Sequence, residues 1–128
     1  MTNLNVIDLK AFVPAQDFET SKQFYLALGC ELQHEAEKIA VFALGSCNFY
    51  LQDFYVKEFA EQYMLHITVE DVESWYQHVL KVLDDFPANS DGLPKIFSPP
   101  KTEPYGAKVC YVSDPTGVLI HIAQFDAR

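Results

Sequence analysis

Residues 64–76 read MLHITVEDVESWY, and this stretch decides the fold, because the period of its apolar side chains changes from two to three or four within one step. Leu65, Ile67 and Val69 alternate with Met64, His66 and Thr68, the pattern of a half-buried strand. Asp71 then offers an N-cap carboxylate. Val72, Trp75, Tyr76, Val79, Leu83 and Phe86 follow at helical spacing until Pro87, predicting an amphipathic helix with Trp75 and Tyr76 on its core side. The same step occurs roughly sixty residues earlier, the period of an internal repeat. NVIDLKAFVP (5–14) places Ile7, Leu9, Ala11 and Val13 on one face and Asp8, Lys10 and Phe12 on the other, which predicts a strand ending at Pro14. Asp17 caps the helix that follows, with Phe18, Ser21, Phe24, Tyr25 and Leu28 on its inner side and Gly29 as its stop.

Outward from these two steps the repeat continues. IAVFAL (39–44) and NFYLQDF (48–54) read as strands joined by a tight turn at Gly45 and Ser46, and VKEFAEQY (56–63) reads as a helical connector. A loop rich in Pro, Gly, Asn and Asp precedes KIF (95–97), KVCYV (108–112) and VLIHIAQF (118–125), the last two flanking the turn DPTG. The expected architecture is a single α+β domain of two βαβββ modules, about 5–55 and 64–125, with the connector at about 56–63. One βαβββ unit cannot bury its sheet face alone, so the modules are expected to form one curved mixed sheet with helices outside and a concave cup inside.

Composition excludes several classes of function. The 9 basic and 18 acidic residues give a formal charge of -9, which repels a phosphate backbone, so nucleic acid is not an expected partner. Cys30, Cys47 and Cys110 are far apart and form no CxxC pair, suggesting neither a disulfide framework nor a thiolate zinc cage. No basic-then-apolar leader and no apolar run of membrane-spanning length is present, and a reducing cytoplasm is the expected location, with no membrane partner.

Three stretches carry a family resemblance: PAQDFETSKQFYLALG (14–29), the step VEDVESWY (69–76), and PYGAKVCYVSDPTGVLIHI (104–122) with its Pro-aromatic-Gly loop and Asp-Pro-x-Gly turn. In order and spacing they resemble the vicinal oxygen chelate superfamily of glyoxalases, bleomycin resistance proteins and extradiol dioxygenases. YLQDFY followed by a short helix and MLHITVEDV is most similar to the small bleomycin resistance-like members. The resemblance implies four converging positions where the superfamily's metal enzymes carry His or Gln, Glu, His and Glu. Here they fall on Lys10, on Gln52 or Tyr50, on Met64 and on His121. An ammonium and a thioether are poor ligands for a catalytic divalent metal, so no metal, no other cofactor and no catalytic residue is expected.

Strand alternation independently turns Phe12, Tyr50, His66 and His121 the same way as Lys10, Gln52 and Met64. Tyr105, in the Pro-Tyr-Gly loop, joins them as a candidate contact at the cup mouth. These eight residues are the predicted ligand-binding set. The resemblance, through its converging positions, implies that Lys10 and Gln52 lie beside His121, and a nearby ammonium would keep that imidazole neutral. His34, His78 and the acidic residues Glu31, Glu35 and Glu37 are read as solvated positions. The functional expectation is a metal-free small-molecule-binding protein that sequesters a partly apolar ligand. The alternative is a glyoxalase-like lyase, isomerase or dioxygenase using displaced ligands such as His66 and His121, or a metal-free catalyst with His121 as base. The resemblance also implies a homodimer.

Overall fold

The computed structural model describes residues 2–125. Its elements run β1 (Phe12–Ala15), α1 (Phe18–Leu28), β2 (Glu31–Ala36), β3 (Ile39–Leu44), β4 (Cys47–Asp53), α2 (Lys57–Gln62), β5 (Met64–Thr68), α3 (Val72–Asp84), β6 (Lys95–Thr102), β7 (Ala107–Ser113) and β8 (Leu119–Phe125). The α+β class and the repeated βαβββ order are as expected. Hydrogen bonding divides the strands into two sheets of four, ordered β1-β4-β3-β2 and β5-β8-β7-β6. In each sheet the first strand pairs parallel with the last and the remaining pairs are antiparallel.

Both long helices start where their carboxylates allow. The Asp17 side chain accepts from the Thr20 N–H, and the Asp71 side chain accepts from the N–H groups of Glu73 and Ser74, satisfying donors that the first helical turn leaves open. Helix α1 stops at Gly29, whose φ of 120° is open to glycine and strained for other residues. The helices pack on one another and against the sheets, around a core that includes Phe24, Tyr25, Leu28, Phe42, Leu51, Val79, Ile120 and Ile122. Trp75 and Tyr76 pack against this core, as their spacing predicts.

A buried polar joint ties the modules together. The Tyr25 hydroxyl donates to Asp114 at 2.7 Å, and the other Asp114 oxygen accepts from the N–H groups of Thr116, Gly117 and Val118, each at 2.9 Å. Ser21 meets Thr116 through their hydroxyls at 3.2 Å. His78 donates from Nε2 to the Leu28 carbonyl at 2.9 Å, so it links α3 to the end of α1 rather than standing free in solvent.

Two expectations are corrected. The predicted strand over 5–14 begins only at Phe12, and residues 2–11 form no strand. Parallel pairing aligns Phe12 with Tyr50, and that register carried back puts Cys47, the first residue of β4, opposite Leu9. Residues before Leu9 have no strand beside them, and both Ile7 and Leu9 are exposed instead of packing under a helix. The acidic stretch from Glu31 is itself an edge strand, β2; most of its side chains are exposed, whereas Leu32 packs against the core and Glu35 pairs with Lys22.

Candidate functional site

Alternation along β8 sends Ile120 and Ile122 into the core and His121 to the opposite face. On that face the register places His66 of β5 and Tyr111 of β7 on either side of His121. The imidazole rings of His66 and His121 lie 6.0 Å apart between centroids, and Tyr111 meets His121 edge-on at 4.9 Å. Phe125 lies 6.1 Å from His66 and 6.5 Å from Tyr105, and the Lys101 ammonium sits over the Tyr111 ring. Ala107, Val109 and Ala123 form a small buried cluster beneath this wall, separate from the main core.

The polar atoms of the wall are in distinct states. His121 Nε2 is buried and has no hydrogen-bond partner among the described residues. Burial and then the neighbouring His66 hold the His121 imidazole below its ordinary pKa, favouring the neutral ring at pH 7. Burial, followed by contact with Tyr105 and Glu103, pushes the Tyr111 phenol up to about 12, so it remains a donor. The His66 ring nitrogen Nδ1 lies 3.4 Å from the Thr68 hydroxyl.

Phe12, Tyr50 and Gln52 lie on the other sheet, with Lys10 just before it. Phe12 stacks on its register partner Tyr50 at 4.8 Å, and the Lys10 ammonium lies over the Tyr50 ring while pairing with Asp8. Lys10 and Gln52 were expected beside His121, but the neighbours of His121 are His66 and Tyr111. The source of its neutral bias is therefore burial and a second imidazole rather than an ammonium. Met64, at the edge of the second sheet, is 60% exposed. The predicted set thus forms two groups: Phe12, Tyr50 and Gln52 on the first sheet with Lys10 in the arm before it, and Met64, His66 and His121 on the second with Tyr105 in the loop between β6 and β7.

Sequence reasoning missed a slot of about 340 Å³ where α2 crosses the end of the first sheet, lined by Phe12 and Gln52 together with Phe54, Glu58, Phe59 and Gln62. The connector was read only as a spacer, although its aromatic residues were a visible signal. A larger cleft of about 670 Å³, between the start of α1 and the loop after α3, includes none of the eight predicted residues.

The donor set does not fit the metal that the fold implies. Two of the four converging positions carry Lys10 and Met64, and among the described residues no three His, Cys, Asp or Glu side chains come together as a metal set. The buried thiols are poor ligands as well, since burial pushes Cys30 up to about 12 and Cys110 up to about 11. No described helix is long and apolar enough to cross a membrane.

No protein-family model matches the chain, and no curated protein sequence matches it. Solved structures do. A bleomycin-binding protein complexed with bleomycin superposes with a TM-score of 0.75 at 18% identity, covering 94% of this chain and 100% of its own. A bleomycin resistance determinant encoded on the transposon Tn5 gives 0.76 at 20% identity, covering 94% of this chain and 99% of its own. A lactoylglutathione lyase from Agrobacterium tumefaciens gives 0.67 at 14% identity, over 94% and 95% of the two chains. Together with the two βαβββ modules, these likenesses show that this chain has the same fold as the bleomycin-binding protein, the bleomycin resistance determinant and the lactoylglutathione lyase.

Proposed function

We propose that this protein binds a small, partly apolar molecule against the wall formed by His66, Tyr111, His121 and Phe125, and holds it without a metal and without chemical change. The observation that carries this reading is the buried, partnerless Nε2 of His121 within an aromatic surface. A buried polar atom left unsatisfied costs about 1–3 kcal/mol, and a ligand group that bonds to it recovers that energy. The neutral imidazole can donate or accept according to its tautomer, while the rings around it supply apolar contact. Structural likeness to proteins that bind bleomycin supports a ligand of this general kind.

The alternative, a metal enzyme built on His66 and His121, has two imidazoles and, among the described residues, no third His, Cys, Asp or Glu grouped with them. Metal analysis combined with native mass spectrometry of gently purified protein separates the readings. The binding role predicts a non-covalent organic adduct, diminished in His121→Ala, and no stoichiometric nickel, zinc, iron or manganese. A stoichiometric metal lost on the same substitution would overturn it.

The binding form is a homodimer on this reading. Leu4, Val6, Ile7 and Leu9 are 80–95% exposed along the arm before β1, and burying such side chains is worth about 1.5–3 kcal/mol each. A second copy of the chain is the proposed cover.

A further inference from the structure

We infer that the cleft between the start of α1 and the loop after α3 is a second binding site, one that takes an aliphatic diammonium compound. Its volume is about 670 Å³, well inside the range of ligand pockets, about 300–1,000 Å³. The cleft shares no residue with the His121 wall, and both of its sides are anchored to one turn. Asn89 donates from Nδ2 to the Pro115 carbonyl at 2.9 Å, and its Oδ1 accepts from the N–H groups of Asp91 and Leu93 at 2.9 and 3.1 Å, which ties the loop after α3 to the turn between β7 and β8. Opposite, the Gln16 N–H donates to the Thr116 hydroxyl at 3.1 Å and holds the start of α1 to the same turn. The gap between the two sides is therefore built into the fold.

The lining chemistry selects the occupant. Phe86, Pro87, Leu93 and Pro115 give the cleft an apolar surface. Phe86 is its single aromatic ring and already packs edge-on against Phe24 at 5.6 Å, so the surface suits an alkyl chain better than a stacked flat ring. Carboxylates stand on both sides, Asp17 and Glu19 at the start of α1, Asp85 and Asp91 at the end of α3 and in its loop. Lys22 already shares Glu19, but among the described residues no ion pair joins Asp17, Asp85 or Asp91 to a cation, and the lining contains no Lys, Arg or His. Carboxylates scattered over a convex surface would be ordinary solvated groups; here they are divided across an open cleft with apolar side chains between them. A monocation answers one side only. Two ammonium groups joined by methylenes answer both, with the spacer on the apolar surface and the amide oxygens of Gln16 and Gln23 able to accept from the remaining N–H donors.

The test is an amide NMR titration of isotope-labelled protein with cadaverine, pentylamine and glutarate, at about 0.15 M salt, where long-range attraction to the acidic chain is screened within about 8 Å. The three probes share a five-carbon skeleton and carry two ammonium groups, one ammonium group or two carboxylates. Cadaverine is predicted to bind about three- to tenfold more tightly than pentylamine, shifting the amides of Thr20, Asp85, Asp91 and Leu93 together, and glutarate to leave them unmoved. Asp85→Asn and Asp91→Asn, both at exposed positions, should each weaken cadaverine about two- to fivefold while the melting temperature stays near that of the wild type. Glu31→Gln, on β2 outside the cleft, should leave cadaverine affinity unchanged. Equal affinity for cadaverine and pentylamine would overturn the proposal. So would shifts centred on residues 31–37 or 120–123, or a Glu31→Gln variant that weakens cadaverine as much as Asp91→Asn does, the last showing only general attraction to an acidic chain.

Discussion

At the residue scale His121 is the most consequential side chain, because its neutral state and its unsatisfied nitrogen come from the same burial. Its imidazole is predicted to titrate below 6.5, as read from ring-proton shifts against pH. The sign follows from the neighbours: burial and a second imidazole both disfavour the imidazolium. His66→Ala removes one of them, so it should move the His121 midpoint upward; a midpoint unchanged or lowered would contradict the assignment. The orientation of His121 was legible in the sequence because apolar residues flank it in strict alternation. Its neighbours were not legible, because the resemblance brings positions from both modules together, whereas Gln52 lies on the other sheet and Lys10 in the arm before it.

At the scale of elements, the turn between β7 and β8 holds the two modules in register. Asp114 is fully buried, and burial raises its carboxyl to about 6 despite the lowering effect of the hydrogen bonds from Tyr25 and three backbone N–H groups. Asp114→Ala removes the side-chain acceptor of all four donors, of which only the Gly117 N–H keeps another, the backbone carbonyl of residue 114, and a loss of about 3 kcal/mol or more in unfolding free energy is predicted from denaturant titration. A loss below about 1 kcal/mol would show that the turn does not join the modules. The helices were legible to the residue at their N-termini, since Asp17 and Asp71 cap by local chemistry. The first strand was not, because the alternation of 5–14 satisfies the strand pattern while only Phe12–Ala15 pair with β4, whose register reaches back no further than Leu9. The Asp114 joint was legible only as a turn, since nothing local reveals that Tyr25, 89 residues away, reaches it.

At the scale of the molecule, the arm before β1 predicts self-association. Light scattering at micromolar concentration should give a dimer, and removal of residues 2–9 should shift it towards monomer without unfolding the domain. An intact chain that is monomeric at those concentrations would contradict the proposed cover. The central claim is that the His121 wall is a ligand site and not merely a solvated sheet face. Its most direct test is the equilibrium affinity of one small-molecule ligand, identified from the native adduct, for the wild-type protein and for His121→Ala at pH 7, with thermal melts of both. The account predicts a loss of about 1 kcal/mol or more in binding, roughly fivefold. The melting temperature should be nearly unchanged, because the substitution removes an unsatisfied polar atom and opens nothing in the main core. Equal affinity of the two proteins, or unfolding of the variant, would contradict it.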